Sequence, residues 1–414
     1  MNRIVTLVGT LFVFFSCDSG EDVIKEEVNF YTVNIESNYS TSDTDNWVLA
    51  SDANGEWLDI QPYEAGETIV LRGVLPETNM FNLTFLDVQN PPTGKYYKFY
   101  TYSEIKLGGT WILAKPLTGT PRSPIGTATV KLNNFTGNIA DIKVSGVKGN
   151  LIGSASKIGS EASLQVTMFR DTSDLMLTFR QGNEYRTKLL TDVVRNSTVT
   201  VDALNAILPD HNFPVSFSGN TFYYVGFYGY KPNYHLAEVE FIFSESIDND
   251  GGVPSLQMGY NDGYSKYKTI ISYGVGKTYH TYYKFGSPIT SFPVFENPSI
   301  EVVNNAVKNF SWNTDYTFSR STAKFIDPVG KNIAWEVFGP YKQNTTISFH
   351  QFPQLLLDTY ESLNVEGIIF SEGSVHLYLD DYTYDDFINA RSYKGGLILK
   401  HEPNEYMYYG WGID

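Results

Sequence analysis

A single thiol, Cys17, stands in a chain of 414 residues, at the point where an apolar run meets an acidic one in LFVFFSCDSGED. A lone cysteine can be a nucleophile, a metal ligand or the carrier of an acyl chain. The six histidines, His211, His235, His280, His350, His376 and His401, offer no pair at i, i+4 and no H-E-x-x-H string, so an ordinary zinc site is not expected. The oxygens of DNDGG at 248–252 lack the full twelve-residue loop with its closing Glu, and read as a tight turn. Two S-x-x-K strings, Ser103 to Lys106 and Ser154 to Lys157, fall in strand-and-turn surroundings without the companion motifs of a serine acyl-enzyme, and G-x-S-x-G is absent. Asp380, Asp381, Asp385 and Asp386 crowd YLDDYTYDDF. Glycoside hydrolysis needs two carboxyls at a set separation; here the reading is an acidic turn leading into a short helix, with Asp385 or Asp386 near its N-terminus. No catalytic residue, metal or cofactor is expected.

Rings are the more distinctive chemistry. FYYVGFYGYKPNYH, residues 222–235, read as a strand puts Phe222, Tyr224, Tyr228 and Tyr230 on one face and Tyr223, Val225 and Phe227 on the other. YYKFYTY at 96–102, YHTYYKF at 279–285 and EYMYYGW near the C-terminus divide in the same way. Flat rings with a hydroxyl suit a carbohydrate or peptide surface, and also suit cross-strand or inter-domain packing. Tyr224, Tyr228 and Tyr230 are the candidate ligand-binding residues.

The start of the chain has the parts of a secretory leader: Asn2 and Arg3, then an apolar run from Ile4 to Phe15, then the small Ser16. That run is shorter than the ~20 residues needed to span a bilayer. The segment Phe14-Phe15-Ser16-Cys17, followed by Asp18, Glu21 and Asp22, resembles the signal of bacterial outer-membrane lipoproteins of the Bacteroidetes type. The resemblance covers about the first 22 residues. It implies cleavage before Cys17, lipid attachment there, and an outer-membrane, cell-surface location. Two or three acyl chains hold a membrane stably, whereas one does not.

Composition sets the frame for these groups. With Cys17 the only cysteine, the expected mature domains contain no disulfide and rely on core burial. Lys and Arg number 30 against 46 Asp and Glu, a net charge of −16, which disfavours nucleic acid as a partner. Tyr, Phe and Trp make 15% of the chain, and period-two alternation recurs in FNLTF, ATVKL, LQVTM, LMLTF, VEFIF, IAWEV and VHLYL. One wet and one buried face mark antiparallel sheets. The expected fold is all-β: two or three antiparallel sandwiches, of the size of immunoglobulin-like or transthyretin-like domains, with short helices in VDALNAIL (201–208), FPQLLLDTYESL (352–363) and YDDFINAR (384–391). The expected divisions are a leader at 1–16, a tether at 17–27, sandwiches at 28–117 and 124–209, and a larger β-rich region at 211–414. The functional expectation is a lipid-anchored surface protein that binds an extracellular glycan, or second a protein, without catalysis. The alternatives are a fimbrial or adhesin-like subunit and a secreted glycoside hydrolase on a sandwich scaffold.

Overall fold

The computed structural model describes residues 26–39, 44–91, 94–114, 123–146, 149–182, 184–215, 222–231, 240–248, 256–291, 293, 296–330, 332–349, 351–392 and 403–412. The leader, Cys17, most of the tether and residues 249–252 of the DNDGG turn lie outside them.

The runs FNLTF, ATVKL, LQVTM, LMLTF and IAWEV each lie inside a strand, and the fold is all-β. Two short α-helices are described, Gln354–Thr359 and Tyr384–Ser392, where the sequence places helices. VDALNAIL differs. Strand Thr198–Asp202 pairs in parallel with Gly126–Asn133, so the ladder takes Val201 and Asp202, and only Ala203–Asn205 turns, as a 3-10 segment. The Asp202 carboxylate accepts from the Leu204 N–H at 3.0 Å and so starts that turn.

One sheet runs through most of the molecule. Its twelve strands lie in the order Glu240–Asp248, Phe222–Tyr230, Lys266–Val275, Thr278–Gly286, Glu405–Gly412, Ile369–Tyr378, Arg320–Ile326, Ile333–Pro340, Tyr96–Lys106, Met80–Gln89, Thr44–Ser51 and Trp57–Pro62. Every neighbouring pair is antiparallel except Ile333–Pro340 with Tyr96–Lys106, which run in parallel. Segments 28–117 and 211–414 therefore share a sheet.

They also share a core. Trp47, Leu49 and Phe99 are buried with Phe310, Trp335 and Phe370, beneath a smaller sheet of Ile300–Asn304, Phe310–Thr314 and Asn344–Ile347 and the helix Gln354–Thr359. Phe99 stacks on Trp335 with centroids 4.9 Å apart and on Phe352 at 5.1 Å. The indole N–H of Trp335 donates to Thr101 Oγ1 at 2.9 Å, and that of Trp47 to the Tyr360 hydroxyl at 2.9 Å. On the opposite face Val48, Ala50, Leu83 and Phe85 pack beneath a three-stranded sheet of Thr68–Gly73, Val28–Ile35 and Thr110–Leu113. Both faces are thus covered here, which explains the unbroken buried run Trp47–Ser51. Gly55 fixes one join between the segments. Its φ is +86°, and a Cβ there would lie 1.9 Å from the Ser348 carbonyl oxygen, so no other residue fits.

Residues 126–202 form a sandwich of their own, with two four-stranded sheets around Val130, Leu164, Leu177 and Phe179. At the far end of the long sheet, the pair His211–Val215 and Leu256–Tyr260 covers Tyr223, Val225, Phe227 and Ile271.

Trp335→Ala removes a fully buried indole and is expected to cost about 3–5 kcal/mol. The loss should appear equally in probes placed in 44–106 and in 300–378, as read by urea unfolding with site-specific labels. Separate transitions for the two segments would contradict a shared core.

Candidate functional site

On the face opposite the Trp335 core, the middle of the long sheet carries polar residues. Lys324 stands in register between Glu336 on one neighbouring strand and Glu372 on the other. Its ammonium donates to Glu372 Oε1 at 2.5 Å, and that hydrogen bond raises the Lys324 pKa. Burial raises the Glu336 carboxyl above its usual 4.5, partly offset by the Lys324 charge. Thr322, Ser374, Tyr408 and Tyr279 continue this face across the next strands, where Gly410 pairs with Ser374 and Tyr279. Together with Lys277, Gly373 and Gly412 they line an open cleft of about 500 Å³.

Glycines shape this cleft. A Cβ on Gly410 would lie 2.8 Å from the Tyr408 hydroxyl, so the Tyr408 ring lies down over Gly410. Tyr279, 36% exposed, meets that ring edge-to-face at 5.9 Å. A ring laid over a strand glycine restores the packing that the missing side chain gives up. On the other side of the sheet the Trp411 indole fills the space that a side chain at Gly373 would need, 2.4 Å from its Cβ position, and packs on Trp312 at 5.2 Å. The cleft thus combines aromatic faces, hydroxyls and charges of both signs.

Tyr224, Tyr228 and Tyr230 do lie on one face of Phe222–Tyr230, with Tyr223, Val225 and Phe227 in the core opposite. They do not stand as an open row. Tyr224 is half-buried, while Tyr228 and Tyr230 are buried. The Tyr224 and Tyr228 hydroxyls are hydrogen-bonded to each other across Gly226, Lys268 lies 4.2 Å above the Tyr228 ring, and Tyr230 meets Phe285 at 5.4 Å. None of the three lines the cleft. Tyr279 and Tyr408 do, and both sit in runs already conspicuous for their rings. Lys324, Glu336 and Glu372 escaped notice because three strands distant in sequence must pair before they meet. The signal available was a charge of alternating sign at the wet position of STAKF, IAWEV and SEGSV.

The acidic cluster serves local structure. Asp386 accepts from the Thr383 N–H at 2.9 Å while the Thr383 hydroxyl accepts from the Asp386 N–H at 3.2 Å, a reciprocal cap on helix Tyr384–Ser392. Asp385 pairs with Lys106 at 2.5 Å, and Asp380 accepts from the Asn404 N–H at 2.6 Å. Both S-x-x-K strings lie within strands, Tyr96–Lys106 and Ile152–Ile158. Among the described residues no group of three His, Cys, Asp or Glu is placed to hold a metal ion.

No protein-family model and no curated protein matches this chain. Among solved structures, one described as "Structural basis for Dscam isoform specificity" is 10% identical, with 86% of this chain and 96% of that chain covered and a TM-score of 0.13. Another, "Escherichia coli alpha-2-macroglobulin activated by porcine elastase", is 9% identical, with 85% and 42% covered and a TM-score of 0.12. Overlaps this slight define no shared fold.

Glu336 has a titration signature. Its folded pKa lies above that of the unfolded chain, so its own contribution to stability is fully present below the unfolded pKa and is lost as pH rises through the folded value. Glu336→Gln should therefore melt higher than wild type at pH 7, with the gain vanishing near pH ~3, below the unfolded glutamate pKa, where the acid is protonated in both states. Melting curves at the two pH values measure it; a gain that persists at acid pH would contradict burial of the charge as its source.

Proposed function

We propose that this protein is a lipid-anchored, outer-membrane protein exposed at the cell surface, and that it binds an extracellular glycan, without catalysis, in the cleft beside Lys324. The observation that carries the reading is the cleft's mixture of groups. Sugars present apolar ring faces together with hydroxyls that both donate and accept. Tyr279 and Tyr408 match the first; Thr322, Ser374, Lys324 and the two carboxylates match the second. A volume of about 500 Å³ suits a short stretch of saccharide. The net charge of −16 speaks against nucleic acid as the ligand. The anchor rests on Cys17 and its flanking residues.

Two features favour binding over the alternatives. Strand Glu405–Gly412, the segment that an assembly subunit would lend to a neighbour, is paired on both sides within its own sheet. Glu336 and Glu372 lie two strands apart, roughly 10 Å between backbones, and Lys324 occupies the space that an inverting glycosidase keeps for water. The raised pKa of Glu336, in a face it shares with a second carboxyl group, Glu372, is the one observation that favours hydrolysis.

A soluble form lacking residues 1–17, screened against polysaccharides and matrix proteins, tests the binding. Tyr279→Ala and Lys324→Ala should each weaken the bound polysaccharide by about tenfold, near 1.4 kcal/mol, with the variants still folded. Loss in Tyr224→Ala instead would move the site to Phe222–Tyr230, and a blank screen would end the reading. Chain shortening of a bound polysaccharide that Glu336→Gln abolishes would make the protein a hydrolase. For the anchor, Cys17→Ser should abolish acyl labelling and release the protein from membranes; unchanged processing and membrane association would overturn it.

A further inference from the structure

One row along the same sheet face from the cleft lies a cation with no acid. Arg320 precedes Thr322 by two residues on its strand and pairs with His376, whose other neighbour is Tyr408 of the cleft. Arg320 is 8% exposed, and its Nε has no hydrogen-bond partner. Its Nη2 donates to His376 Nε2 at 2.6 Å, which requires a neutral imidazole, since a guanidinium only donates. Its guanidinium lies 4.1 Å from the centre of the Phe387 ring on helix Tyr384–Ser392. Arg391, exposed on that helix, lies 5.5 Å from the centre of the same ring, so the two guanidiniums are within about 10 Å of each other. Each further lowers the pKa of His376, which burial already depresses.

Buried guanidiniums are ordinarily neutralised by a carboxylate, because an uncompensated buried charge costs several kcal/mol. Here the nearby acids are engaged elsewhere: Asp380 with the Asn404 N–H, Asp385 with Lys106, Asp386 with Thr383 and Glu104 with Lys342. Among the described residues, no carboxylate pairs with Arg320 or Arg391. In a chain of net charge −16, two neighbouring guanidiniums without a paired carboxylate, with the charge of Arg391 coupled at longer range to Glu336, suit an external anion.

We propose that Arg320 and Arg391 form an anion site at the end of the cleft, taking the carboxylate or sulfate group of an acidic glycan whose neighbouring sugars lie on Tyr408 and Tyr279. The planar, forked donors of arginine match both oxyanions. The register makes the step short: residues two apart on a strand are about 7 Å apart, close to the length of one sugar with its linkage. The identity of the glycan rests on the cleft reading above, whereas the anion site stands by itself.

The test separates the two. Melting of the soluble form lacking residues 1–17 is measured in sodium sulfate and in sodium glucuronate against sodium chloride at equal ionic strength. Wild type is expected to gain at least ~2 °C from one of the two oxyanions over chloride. Arg391→Ala, at an exposed position, and Arg320→Met, which keeps volume without charge, should both lose that difference. A purely structural arginine would shift melting equally in all salts and leave Arg391→Ala like wild type, and that result would overturn the site. In the second arm, uronate-bearing and sulfated polysaccharides are compared with neutral ones. Tenfold weaker binding by Arg391→Ala for the acidic chains alone supports the glycan as the source. An oxyanion effect without any polysaccharide binding supports the site with a free anion as its ligand, and removes the cleft reading instead.

Discussion

The parallel ladder between Tyr96–Lys106 and Ile333–Pro340 is the join on which the rest of the molecule depends. A parallel pair cannot be made by a hairpin; its strands must be brought together by a crossover. Here the crossover contains a complete sandwich, residues 126–202, and five of the twelve strands of the long sheet. Phe99 and Trp335 are direct partners in that ladder, and their stacked rings form the middle of the shared core. The same pairing sets Tyr100 beside Glu336 on the opposite face, so the register that closes the core also closes one side of the cleft.

Much of the fold was legible because alternation is a local signal. Each buried strand face repeats every second residue, and five of the runs read from the sequence lie within strands. The exception at 201–208 is instructive. Val201 and Leu204 have helical spacing, but Val201 lies in a parallel ladder that only the folded chain supplies. Pairing partners more generally were out of reach, since alternation states that a strand has a wet side without stating which wet sides adjoin. Lys324, Glu336 and Glu372 acquire meaning only once their strands are neighbours. The rings were visible from the start, but not whether they stand up or lie down. Tyr228 lies against Gly226 and beneath Lys268, a local arrangement that strand periodicity does not encode.

Glycine and aromatic residues form a recurrent device on this sheet. Tyr408 covers Gly410, Tyr224 and Tyr228 cover Gly226, Trp411 fills the space beside Gly373, and Tyr264 covers Gly229. Each gap in the pleat is filled by a ring, which keeps the long sheet packed without added bulk between strands. At Gly410 the result is a low floor beside a ring, the geometry on which the cleft is built.

Strand Glu405–Gly412 lies between Thr278–Gly286 and Ile369–Tyr378, yet follows both in sequence. During synthesis, those two strands emerge before the strand that lies between them. A polypeptide halted before residue 405 would present a slot one strand wide, flanked by two rows of bare amides and carbonyls, which any passing extended segment could enter. Release of such an intermediate is a hazard that a chaperone or rapid completion of the chain must cover.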